Sequence, residues 1–188
     1  VCPLFTSYPP RFCDEPFFLG SLMLNGVHDP ELAKDFREPL DPLQIGPIFQ
    51  IPKSSPVISI SALGDIRVTR MDADTTDWEC DAGNCSLMLG YTDYRATPTD
   101  IQPIIADTRK RVRSNTKYEI ISDTDISKDD RSGFEIRKRD RTTAPPTISI
   151  FQALRIGDGL FLLSISGEDD PRVLRRMESV VSSLRVAK

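Results

Sequence analysis

The stretch TISIFQALRIGDGLFLLSISG, residues 147–167, decides how the rest of the chain is read. Two apolar runs, Ile148 to Ile156 and Leu160 to Ile165, meet at Gly157-Asp158-Gly159. β-Branched and aromatic residues favour extended backbone and the glycines allow a tight reversal, so the segment predicts an antiparallel hairpin. Its apolar residues are too dense for a sheet with one wet face, which puts the hairpin in the centre of a sheet covered on both sides.

Working outward, Asp170 is an N-cap and Pro171 a first-turn residue, and Val173, Met177, Val180, Val181 and Leu184 fall on one face of a helix that ends by Arg185. Upstream, strands are predicted at Tyr118–Ser122 and Gly133–Asp140, the second as an exposed ribbon because Arg137, Lys138, Arg139 and Arg141 crowd it. Residues Thr99–Ser114 predict another helix, with Ile101, Ile104, Ile105, Thr108 and Val112 in one stripe and Asp107, Arg109, Lys110, Arg111 and Arg113 largely off it. Leu87, Leu89 and Tyr91 alternate within a strand at Cys85–Tyr94, and strand signals also run over Gly46–Ile51 and Val57–Met71, the latter a hairpin or bent strand turning at Gly64-Asp65. Residues 1–28 read as an irregular, proline-rich arm, followed by a short helix at Asp29–Phe36. The order of elements makes an α+β protein, and no repeat or linker divides residues 1–188 into more than one domain.

The run Gly133-Phe134-Glu135-Ile136, the hairpin at residues 148–167 and a closing helix that ends Val181-Ser182-Ser183-Leu184-Arg185-Val186 resemble the PsbP and Mog-type fold over the C-terminal half of the chain. That resemblance implies a curved antiparallel β-sheet flanked by helices, with the C-terminal helix packed on the sheet. It also implies a binding protein rather than an enzyme, since the fold serves photosystem accessory proteins, a nuclear transport factor and bacterial envelope lipoproteins, including immunity proteins that plug secreted toxins. No family motif transfers a functional residue.

Composition narrows the function classes further. With 24 Lys and Arg against 28 Asp and Glu the net charge is -4 over 188 residues, which argues against general nucleic-acid binding. No apolar run approaches the roughly 18 residues that span a bilayer. The four cysteines fall as two close pairs, Cys2 with Cys13 and Cys80 with Cys85. Even parity and short spacing predict two disulfides in the periplasm or another extracytoplasmic compartment, after removal of a signal peptide. Zinc is the weaker reading, because the lone histidine, His28, is distant. A lipid anchor on Cys2, tethering a lipoprotein to a membrane, would orphan Cys13.

Catalytic patterns are missing. His28 is the sole imidazole and sits beside a helix start, Glu168, Asp169 and Asp170 are explained by a helix N-terminus, and Gly157-Asp158-Gly159 lacks the lysine of a phosphate loop. Neither a catalytic group nor a cofactor is predicted, and no metal site: Asp72–Asp81 could offer oxygens to calcium but reads as a solvated acidic loop. Asn84-Cys85-Ser86 matches a glycosylation sequon.

Two features invite a partner. One is the acidic loop with Asp74, Asp77, Glu79 and Asp81 around Trp78, which either folds back onto the sheet or meets another protein. The other is the basic ribbon of Arg137, Arg139 and Arg141. The expectation is a non-catalytic extracytoplasmic protein-binding protein, with immunity to a secreted toxin as one version and an envelope component as another possible partner. The alternative is a small-molecule or lipid carrier using a pocket between sheet and helices.

Overall fold

The computed structural model describes residues 46–82, 84–97 and 99–187. The chain divides into two units, Val1–Gln44 and Ile45–Lys188, and the architecture below is that of the second. The expected arm at residues 1–28, the helix at Asp29–Phe36, and Cys2, Cys13 and His28 lie outside the described residues.

The central hairpin forms as the sequence demands. Strand β8 (Thr147–Ile156) and strand β9 (Gly159–Glu168) pair antiparallel across the Gly157-Asp158 reversal, where Gly157 adopts φ 58. On one face Ile148, Ile150, Leu154, Phe161, Leu163 and Ile165 are buried, and on the other Ala153 and Leu160 are buried as well. One face is covered along the hairpin and the other around Ala153 and Leu160, so the apolar density there has its physical reason.

Around it grows a seven-stranded antiparallel sheet, ordered β3-β4-β5-β9-β8-β7-β6. Its other members are β3 (Arg67–Met71), β4 (Thr75–Ala82), β5 (Cys85–Asp93), β6 (Glu119–Lys128) and β7 (Arg131–Asp140). A second sheet has the order β1-β2-β10, from β1 (Ile48–Gln50), β2 (Val57–Ser61) and β10 (Arg185–Ala187). The stretch Val57–Met71 is therefore not a hairpin: β2 and β3 join different sheets. Ile58 and Ile60 are wholly buried whereas every residue of β3 is exposed, and that difference in burial parts them.

Helix α1 (Ile101–Ser114) is capped by Asp100, whose carboxylate accepts the Gln102 N–H, and helix α2 (Pro171–Ser182) by Asp170, which accepts from Arg172 and Val173. α2 buries Val173, Met177 and Val180 against β9 in a core that includes Ile58, Ile60, Leu87, Leu89, Phe161 and Leu163. α1 covers the opposite face, packing Ile101 and Ile105 on Phe134, Ile136, Ala153 and Leu160. The result is an α+β protein with one helix on each face of the large sheet and the C-terminal helix packed on it, as expected.

Candidate functional site

Residues Asp72–Asp81, expected as a loop, are mostly strand. Within β4 the side chains alternate: Trp78 and Cys80 point into the α2 core, while Asp77, Glu79 and Asp81 occupy the other face. The acids concealed a period-two pattern. Trp78 is 3% exposed and meets Phe49 edge-on at 5.7 Å between ring centroids, so it is a core residue and no anchor for a partner. Asp74 stands in the exposed turn between β3 and β4, its carbonyl accepting the Asp93 N–H at 2.8 Å.

Cys80 and Cys85, expected as a disulfide, are free, buried thiols. The register explains it. Cys80 lies opposite Leu87 and Cys85 opposite Ala82, which makes the two cysteines diagonal neighbours. Diagonal Cα atoms stand about 7–8 Å apart, beyond the span a disulfide tolerates. The Cys80 sulfur lies against Gly64 and that of Cys85 against Gly167, and burial pushes both thiols above their ordinary pKa. We expect alkylation of the unreduced, denatured chain to label both, and the native chain to resist it. A proteolytic peptide recovered with the two joined would restore the disulfide. Of the cysteines, only Cys2 and Cys13, which lie outside the described residues, still bear on the expected extracytoplasmic location.

The basic ribbon is also corrected. β7 is an interior strand between β6 and β8, not an exposed one, because Phe134 and Ile136 on one of its faces are fully buried under α1. Its arginines are spent inside the molecule. Arg137 pairs with Glu135 at 2.9 Å and with Glu178 of α2 at 2.5 Å. Arg139 Nε stands 2.7 Å from Asp169, an ion pair without hydrogen-bond alignment, and Arg141 meets Glu119 at 2.8 Å. At the end of the strand Lys117 and Thr142 hold the Asp140 carboxyl down to about 2. Lys138, its pKa lowered by burial, stacks on the Tyr118 ring at 4.1 Å.

What remains open is half of a sheet face. α1 packs on β7 and β8 and α2 on β9 and β2, and neither described helix makes a main packing contact with β4 or β5. Pairing registers line up two rungs there, Asp81–Ser86–Ser166–Ser149 and Glu79–Met88–Ser164. Met88 is 56% exposed between them. Arg67, from the edge, forks toward Glu79 at 3.4 Å and Asp81 at 3.1 Å. Asp77 lies across Gly90 with no ion pair among the described residues. Sequence reasoning passed over Met88, although its position out of phase with Leu87 and Leu89 already placed it on the outer face.

No family model and no curated protein matches the chain. Solved structures resemble it in fold. The chain is similar to proteins of the Mog and PsbP type. It aligns with the Ran-binding protein Mog1p of Saccharomyces cerevisiae at 9% identity and TM-score 0.43, over 75% of this chain and 96% of that one. LpqN of Mycobacterium tuberculosis, involved in cell envelope biogenesis, aligns at 8% and 0.48, over 76% and 91%. Cyanobacterial PsbP (CyanoP) from Synechocystis sp. PCC 6803 aligns at 11% and 0.48, over 76% and 94%. At such identities no binding residue can be matched to a counterpart.

No group of three or more His, Cys, Asp or Glu side chains converges on a metal-sized site among the described residues. The groove beside α1, about 690 Å³, is open and mixed in lining, with Ile105, Ile126 and Phe134 beside Arg109, Lys110 and Arg113.

Proposed function

We propose that this chain is a non-catalytic protein-binding domain whose docking face is the open half of the sheet. One observation carries the reading: Asp77, Glu79 and Asp81 stand in line on β4 beside exposed Met88, on a face that α1 leaves free. A rigid sheet positions these groups with little backbone ordering cost on binding, and an apolar side chain rimmed by charge is the usual layout of an interface centre. The carboxylates select a partner with a basic surface, and Arg67 already occupies the place between Glu79 and Asp81 that a partner's cation would take. An envelope or secreted location belongs to this proposal, and neutralisation of a basic secreted toxin is one version of it.

Affinity capture from extracts of the native source, comparing the wild-type chain with a Met88→Arg, Asp77→Arg variant, tests the reading. Both positions lie on the strand surface, so the variant keeps its core. We expect a basic protein retained by the wild type to be lost by roughly tenfold or more on the variant, the loss of a hot-spot contact together with a charge. Equal recovery on both chains would remove the open face from the function.

A further inference from the structure

Among the described residues the large sheet has two free edges, and they are built differently. β3 is five residues long, has a register shift between Val68 and Arg70, and carries both Arg67 and Arg70. Shortness, a bulge and charge are the devices that stop an edge from recruiting another strand. β6 is ten residues long and has its shift near one end, between Ile120 and Ser122. From Asp123 to Lys128 its register with β7 is unbroken, and no described strand pairs with its outer side.

Beside that edge lies the open groove. α1 packs on β8 and β7 and stops short of β6, leaving a channel of about 690 Å³. Gln102, Ala106, Arg109, Lys110 and Arg113 line it, a spacing that puts them on one face of the helix, with small Ala106 making room. Arg109 is committed: it donates to Asp123 at 2.8 Å and Asp125 at 2.5 Å, and its guanidinium sits 5.4 Å from the centre of the Phe134 ring. These contacts neutralise the acids of β6 itself. Arg113 reaches Asp123 only at 3.4 Å, and Lys110 has no ion pair among the described residues.

We propose that the outer edge of β6 is a strand-addition site for an extended acidic peptide segment of a protein partner. An added strand lies about 4.8 Å outside β6, and every second side chain projects to the α1 side. Those side chains enter the groove, where carboxylates meet Lys110 and Arg113 and a basic segment would meet three cations. Main-chain hydrogen bonds supply affinity that does not depend on sequence, and the helix supplies the preference for acids. This site is separate from the open face carrying Met88, and either can fail without the other.

The test uses the full chain and a fluorescein-labelled peptide, Ser-Glu-Val-Glu-Val-Glu-Val-Ser, read by fluorescence polarisation. Two control peptides replace glutamate by lysine or N-methylate alternate backbone nitrogens. We expect the acidic peptide to bind, each control to bind at least tenfold more weakly, and Lys110→Glu to weaken the acidic peptide about fivefold. Hydrogen exchange slows at amides between Asp123 and Lys128 when the acidic peptide is present. Equal binding of the N-methylated peptide would overturn strand addition, and equal binding of the lysine peptide would overturn the acidic preference. Displacement by free glutamate at the same concentration would mean a small-anion site. A dimer of the chain that holds the β6 edge against the peptide would make a second copy the occupant, and no polarisation change by about 1 mM peptide would dispose of the site altogether.

Discussion

Replacing Phe161 with alanine is expected to destabilise the chain by about 3–5 kcal/mol, the range for emptying a fully buried phenylalanine site. Phe161 is completely inaccessible, sits on β9 with Tyr91 and Leu154 as its cross-strand neighbours, and belongs to the core that α2 closes. β9 is hydrogen-bonded on both sides, so the backbone cannot close in on the cavity without disturbing β5 and β8 together. Urea denaturation read at equilibrium measures the effect. Phe161→Leu keeps most of the volume and should fall by less than half as much. A loss below about 1 kcal/mol for the alanine variant would mean that Phe161 does not occupy the centre of the core.

Gly133→Ala should be the other severe change. A Cβ built at Gly133 falls 2.0 Å from the Ala153 carbonyl oxygen, and the nearest atoms are all backbone of β8. Nothing there can swing aside, and relief requires β7 to move off β8, at the place where Phe134 and Ala153 together carry α1. The expected loss is about 3 kcal/mol or more, with α1 losing protection from hydrogen exchange before α2 does. Gly90→Ala provides the contrast. Its added carbon would meet the Asp77 carboxylate oxygen at 2.9 Å, the mobile end of a side chain, so the loss should stay within about 1 kcal/mol. If the two variants behave alike, the steric account of Gly133 is wrong.

Trp78 and Arg137 show where the candidate site escaped the sequence. Both are residue types enriched at interfaces, and both stand among charges that looked unsatisfied in one dimension. Glu178, which pairs with Arg137, is 41 positions away on α2, and Phe49, which meets Trp78, lies on the other sheet. No local pattern encodes either contact. Met88 was in principle legible, since strand alternation alone puts it opposite Leu87 and Leu89. The groove at β6 was not, because it exists only where α1 stops short of an edge whose position depends on the order of all seven strands.

Elements whose signals are local could be read from the chain alone. Gly157-Asp158-Gly159 between dense apolar runs made the central hairpin, Asp170 with Pro171 began the second helix, and the stripes of Ile101 and Ile105 and of Val173, Met177 and Val180 chose the faces they bury. Periodicity and capping act over a few residues, and so they survive being read without a fold. The tertiary structure alone decided that β2 and β3 part into different sheets, that Cys80 and Cys85 stand diagonally and stay thiols, and that the arginines of β7 are neutralised from within. It also decided which half of the sheet the described helices leave uncovered. Burial and charge pairing are properties of segments that meet across long stretches of chain, and which surfaces remain for a partner is settled only when those meetings have taken place.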